Sequence, residues 1–250
     1  MNPCDTLAAN LKNKTHLVRL SLDWNLKQNN DDSIKEREVL ENLQPSIHLK
    51  HLSVDGYGGT QFPRWLSDNS LLNVVSLILT HCKRCLWLPS LGLLTFLKHL
   101  TIVGLDWIRR IDADFYGNSS SAFVSLEMLQ IINMKECEEW TCMTGAFPSL
   151  QRLYVKNCPK LKGHLPEHLS QLKELVIGGC EQLVASNVSL DLHVYSCLCI
   201  DIPINHCYDF LAQLIITQCC DSLVNFPLDL FPTLYNLCLN LTKYGHIHRK

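Results

Sequence analysis

The nine residues Leu150-Gln151-Arg152-Leu153-Tyr154-Val155-Lys156-Asn157-Cys158 decide the fold. Apolar side chains stand at the first, fourth and sixth places, and a cysteine closes the ninth. Between Arg152 and Lys156 the alternation has period two. Leu153 and Val155 therefore face one side of a short strand, and Arg152, Tyr154 and Lys156 face the other. So short a strand cannot bury its apolar edge alone and needs neighbours of the same kind.

The chain supplies those neighbours. The pattern recurs at 17–25, 49–57, 74–82, 97–105, 126–134, 172–180, 189–197, 211–219 and 234–242, making ten units with 150–158. The unit at 189–197 is the least faithful, because Ser189 replaces the first aliphatic residue. First positions are spaced by roughly 24 residues on average, inside the range of the leucine-rich repeat, whose L-x-x-L-x-L-x-x-(N/C) signature the units match. The expected fold class is α/β: one leucine-rich repeat solenoid over residues 1–250, a horseshoe or arc. Its strands form a parallel sheet on the concave side, with loops and short helices on the convex side. Leu20, Leu22, Leu175 and Ile177 are expected core residues.

The ninth position is a buried turn. Five of the thirteen cysteines (Cys82, Cys158, Cys180, Cys197 and Cys219) fall there. A free cysteine behaves as a small buried hydrophobe with a weak donor, so their expected role is packing. Phenylalanine precedes several units by three residues, at Phe123, Phe147 and Phe231. It is expected to plug the convex side, while Pro148 or Pro232 stops any helix and feeds a strand. Gln28 to Asp32 is a polar loop, and Ile34, Val39, Leu40 and Leu43 share one face of a helix ending before Pro45. Tyr116 to Ser121 is expected as a surface loop.

Composition narrows the function. Hydrophobic residues make up 47% and charged residues 18%, which excludes a disordered chain. A formal net charge of −2 leaves no electrostatic footprint for nucleic acid or an anionic membrane, and no apolar run is long enough to span a bilayer. Met1-Asn2-Pro3-Cys4-Asp5 has no basic patch leading into an apolar core, so the expected setting is the cytoplasm or nucleus with reduced thiols. Sequons at Asn13, Asn118, Asn187 and Asn240, with the many cysteines, motivate the alternative of a secreted or cell-surface receptor ectodomain.

Chemistry has little to stand on. Cys82-x-x-Cys85 lacks a partner pair for zinc, and Pro166 separates His164 from His168. No G-x-S-x-G, H-E-x-x-H or paired-carboxylate constellation occurs, so no enzyme, metal or cofactor is expected. The candidate binding residues are instead the outward strand positions: Arg19, Ser21 and Asp23; His51, Ser53 and Asp55; His99 and Thr101; Met128 and Gln130; Arg152, Tyr154 and Lys156; and Glu174. Side-by-side strands would align them across the concave face. The trio at 152, 154 and 156 is the most distinctive, because arginine and tyrosine are frequent interface anchors.

One block is more specific than the repeat. Val39-Leu40-Glu41-Asn42-Leu43-Gln44-Pro45 leads into Tyr57-Gly58-Gly59 and Phe62-Pro63-Arg64-Trp65-Leu66; Leu88-Pro89-Ser90-Leu91-Gly92 and Asn157-Cys158-Pro159-Lys160-Leu161 follow. Over about residues 5–240 the chain resembles the C-terminal repeat region of plant nucleotide-binding, leucine-rich-repeat disease-resistance proteins of the coiled-coil class. The resemblance implies a protein partner: a pathogen effector, a guarded host protein, or the nucleotide-binding domain of the parent receptor. Such receptors hold nucleotide on a G-x-x-x-x-G-K-[ST] loop, which is absent here, so nucleotide binding is not carried over.

Overall fold

The computed structural model describes residues 3–24, 32–119, 121–162, 166, 169–180, 182, 212–217 and 232–240. Nine of its strands form one parallel sheet: β1 Arg19–Asp23, β2 His51–Asp55, β3 Ser76–Thr80, β4 His99–Val103, β6 Met128–Ile132, β8 Arg152–Lys156, β9 Glu174–Gly178, β10 Gln213–Thr217 and β11 Asn236–Asn240. Two short strands, β5 Arg110–Ile111 and β7 Glu139–Trp140, pair in parallel as a second sheet. This is the expected solenoid. The unit at 189–197 lies outside the described residues, as do Asn25, Leu211, Cys219 and Thr242. β9 pairs directly with β10.

Each turn of the coil is built alike. The N–H of the first apolar residue donates to the carbonyl three residues earlier, as Leu150 does to Phe147 (3.2 Å), Leu126 to Phe123 (3.1 Å) and Leu97 to Leu94 (3.0 Å). The following carbonyl accepts from two N–H groups of the next unit; Glu127 O takes Gln151 N at 2.9 Å and Arg152 N at 3.0 Å. The strand then runs in strict lateral register, Leu129 opposite Leu153 and Ile131 opposite Val155. In β2, β3, β4, β6, β8 and β9 its end is a left-handed residue at the eighth place, such as Gly56 (φ 70°) and Asn157 (φ 53°). That residue's N–H bonds the next strand's last carbonyl, as in Asn157 N to Gly178 O at 2.7 Å.

The inward strand positions form one continuous core, in which Leu77, Leu100, Leu129 and Leu153 are wholly buried. Cys82, Cys158 and Cys180 sit in their turn slots fully buried, each thiol aimed at backbone carbonyls such as Lys156 O from Cys158 (3.4 Å). Burial pushes the Cys82 thiol up to about 12. Packing therefore explains these three; Cys197 and Cys219 lie outside the described residues.

Phe123 and Phe147 plug the returning side, stacked at 4.9 Å with planes 20° apart. Both adopt positive φ (55° and 63°), and Pro148 sits in the turn that closes on Leu150. It therefore sets a tight turn before the strand and does not feed an extended run. Phe231 lies outside the described residues. A β-carbon on Gly92 would lie 2.5 Å from the Tyr116 carbonyl oxygen, so the close packing of that segment requires glycine.

Several expectations need correction. Tyr116 is not on a surface loop: it ends a 3-10 turn, is wholly buried against Phe115, Phe123 and Phe147, and accepts a hydrogen bond from Trp140 Nε1 (2.9 Å). Its ring supplies the apolar area that the polar residues after it conceal in the sequence. The helix expected before Pro45 is α2, Ser33–Asn42, capped by the Asp32 side chain on Lys35 N (3.0 Å). Val39 and Leu40 are buried within it, but Ile34 is 80% exposed, because it lies in the first turn before the helix meets the coil. Leu20 and Leu22 are only half-buried, since β1 is the edge strand and has β2 on one side alone. A further helix, α1 at Pro3–Ala9, precedes them; Asn42 Nδ2 ties α2 to it through Pro3 O (3.1 Å).

The block that carried the family resemblance is a packing unit. Trp65 is buried beneath α2 and its Nε1 donates to Leu40 O (3.1 Å). Glu36 accepts from Gly58 N at 2.6 Å, and the wholly buried Tyr57 donates its hydroxyl to Gln61 O at 2.7 Å.

Candidate partner-binding face

The outward positions of the main sheet align laterally as rows, because every strand pairs in parallel with no change of register. Arg19 lies opposite His51 and Asp23 opposite Asp55. His99 lies opposite Met128, and Thr101 opposite Gln130. Those rows continue from Met128 to Arg152 and from Gln130 to Tyr154, and Arg152 stands opposite Glu174. All fourteen candidate residues thus lie on one face. Between His51–Asp55 and His99–Thr101 the structure inserts Ser76, Ile78 and Thr80 of β3, which the candidate set omits. The spacing from Val74 would have located them.

Chemically the face has three zones. Its middle strands mix apolar and polar groups: Ile78 is 36% exposed beside Thr101, and the half-buried pair Val103 and Ile132 lies between Thr80 and Lys156. On the β8 side, Tyr154 donates its hydroxyl to Glu174 Oε2 at 2.8 Å, and Lys156 Nζ stands 5.8 Å from the Tyr154 ring centroid. Burial, then the hydrogen bond to Glu174, pushes the Tyr154 phenol up to about 12. Val176 is buried beside it, so the aromatic ring is held between a carboxylate partner, a cation and the sheet.

On the β2 side, Asp23 and Asp55 are neighbouring carboxylates, a repulsive arrangement across strands about 4.8 Å apart. The structure relieves it on Asp55, which accepts from the Thr80 hydroxyl and contacts His81 Nδ1 at 2.8 Å. Burial alone would raise the Asp55 pKa; the Thr80 and His81 hydrogen bonds outweigh it and hold the carboxyl below its ordinary value. Neither Thr80 nor His81 stood out in the sequence, since they belong to the next turn of the coil.

The edge of the face is laced between turns. Lys98 Nζ meets Glu127 Oε1 at 2.7 Å, and Lys173 Nζ donates to Gln151 Oε1 at 3.2 Å. The hydrogen bond from Lys98 holds the Glu127 carboxyl below its usual range. Such exposed pairs contribute little stability and serve to set the surface pattern. No group of three metal-ligating side chains occurs among the described residues, and no helix there is long and apolar enough to cross a membrane.

Comparison with known proteins agrees with this architecture. The leucine-rich-repeat family described as R13L1/DRL21 LRRs matches residues 2–105. The chain is 34% identical over 254 aligned positions to disease resistance RPP13-like protein 1 of Arabidopsis thaliana, covering 93% of this chain and 22% of that protein. It is 30% identical over 177 positions to disease resistance protein RGA4 of Solanum bulbocastanum, covering 68% and 18%. The chain therefore spans about a fifth of the length of these relatives. Among solved structures, the leucine-rich repeat domain of the type III effector XopL superposes with a TM-score of 0.57 at 20% identity, over 91% of this chain and 70% of that one. That likeness is one of fold. Repeat pattern, solenoid and relatives together place this chain in the leucine-rich-repeat region of the plant nucleotide-binding disease-resistance family.

Proposed function

We propose that the chain is the recognition and restraining portion of an intracellular plant immune receptor, working by protein–protein contact and without catalysis. Its setting in this reading is the cytoplasm or nucleus. The partner is a pathogen effector, a guarded host protein, or the parent receptor's nucleotide-binding domain. The observation that carries the reading is the strand face: exposed Ile78 and the Val103–Ile132 pair, bordered on one side by Arg152, Tyr154, Lys156 and Glu174 and on the other by Asp23 and Asp55. An aromatic anchor beside arginine, at the margin of an apolar patch, is the arrangement that concentrates binding energy at interfaces.

The test is partner capture by the parent receptor carrying Arg152→Ala, Tyr154→Ala and Lys156→Ala together, against the unaltered protein. Loss of at least tenfold in retained partner is expected. Undiminished capture at equal folded concentration would move the site off this face.

A further inference from the structure

The solenoid carries a second surface, away from the strand face. Beyond each strand the chain passes through a lateral rung, where successive turns bond one another. The fifth and sixth units are joined by Lys162 N to Glu138 O (2.9 Å), and the fourth and fifth by Glu139 N to Arg109 O (3.3 Å) and Thr141 N to Ile111 O (2.8 Å). The second and third are joined by Leu86 N to Thr60 O (3.0 Å). Between the third and fourth this rung is broken. The turns touch earlier, through Trp107 N to Lys83 O (3.1 Å), and bond again only at Phe123 N to Gly92 O (3.2 Å).

A cavity of about 640 Å³ opens at the break, with Leu86 and Trp87 on one wall and Trp107, Arg109 and Arg110 on the other. Trp87 is 56% exposed and Trp107 51%. Arg109 and Ile111 give their carbonyls to β7, so the alternation of a parallel strand turns the N–H and C=O of Arg110 the other way, toward the gap. Among the described residues neither of those groups has a backbone partner. The acidic groups nearby are engaged internally: Glu136 by Lys160 Nζ at 2.5 Å, and Asp112 by Asp114 N at 3.1 Å. Arg109 is close enough to help Lys160 lower the Glu136 carboxyl but makes no ion pair within 4.0 Å among the described residues.

We propose that this gap docks an extended segment of another polypeptide, which adds a short strand to the open edge of β5. Its backbone bonds Arg110, an apolar side chain enters between Trp87 and Trp107, and a carboxylate meets Arg109. Open strand edges and paired exposed aromatics are both devices of peptide recognition. The two features coincide here and at no strand of the main sheet interior, where both edges are filled.

The experiment uses the whole chain and a fluorescein-labelled octapeptide of alternating valine and threonine with one glutamate, read by anisotropy. Three comparisons accompany it: the same peptide N-methylated at alternate backbone nitrogens, the Trp87→Ala/Trp107→Ala variant, and Arg109→Glu. Both tryptophans are more than half exposed, so the double variant should keep its melting profile. Binding that weakens at least tenfold with the methylated peptide and with the double variant, and severalfold with Arg109→Glu, is the expected result. No binding at millimolar peptide would overturn the proposal, as would equal binding of the methylated peptide or an unaffected double variant. Concentration-dependent dimerisation abolished by the double variant would assign the gap to a second copy and overturn it too.

Discussion

At the scale of single residues, Asp55 shows how a surface group acquires a structural role. It stands in register with Asp23, is partly withdrawn from water, and is held ionised by Thr80 and His81. Its folded-state pKa lies below the ordinary 3.8, so the contact stabilises fully above about pH 4 and the contribution is lost as pH falls through the folded value. We expect Asp55→Asn to lower the Tm by about 2–4 °C at pH 7 and to approach the unaltered protein as pH falls through the lowered folded-state value. A difference in Tm that stays constant with pH would remove the ionised carboxylate from the account. Tyr116 carries the opposite lesson: its hydroxyl is satisfied by Trp140 in the core, where a loop was expected.

At the scale of elements, the ends of β2, β3, β4, β6, β8 and β9 are decided by the eighth residue of their units. Gly56, His81, Gly104, Asn133, Asn157 and Gly179 all have φ between 53° and 70°. A left-handed backbone costs an ordinary L-residue about 1–2 kcal/mol, and glycine or asparagine much less. We expect Asn157→Ala to destabilise by about 1 kcal/mol and Asn157→Gly by only a few tenths. The small remainder in the glycine variant is the exposed hydrogen bond from Asn157 Nδ2 to Asn133 Oδ1 (3.0 Å). Equal melts for the two variants would show that backbone handedness is not what selects asparagine there. Cysteine at the next place follows from the same turn, which leaves a small apolar slot over two carbonyls.

At the scale of the whole molecule, stability is a chain of interfaces between neighbouring turns, so position along the coil sets the cost of a lesion. Leu129 is wholly buried with β4 and β8 on either side of its strand, while Leu20 sits half-buried on the edge strand. We expect Leu129→Ala to cost about 2–5 kcal/mol and Leu20→Ala less than half of that, measured by denaturant unfolding. Hydrogen exchange should likewise be slowest in β4, β6 and β8 and fastest in β1. Equal costs would mean that the coil unfolds as one cooperative block without fraying from that end.

The sequence by itself determined the repeat, the inward and outward alternation, the turn slot of Cys82, Cys158 and Cys180, and the shared face of the named outward residues, though not the β3 residues between them. These properties are periodic, and a period of two on a spacing of roughly 24 can be read without knowing what touches what. α2 was legible from its apolar spacing and from Pro45 beyond its end, while its Asp32 cap was not. Only the tertiary structure decided which residues meet across turns: Thr80 and His81 on Asp55, Trp140 on Tyr116, Trp65 under α2, and the half-burial of Leu20 and Leu22 at the edge. It also decided the gap between Trp87 and Trp107, because a missing rung leaves no mark on either turn's own residues. Side-chain hydrogen bonds between turns of the coil join residues some 20 to 29 positions apart, as Tyr154 to Glu174 and Lys98 to Glu127 show. Their partners are chosen by the register of the stack and not by local pattern.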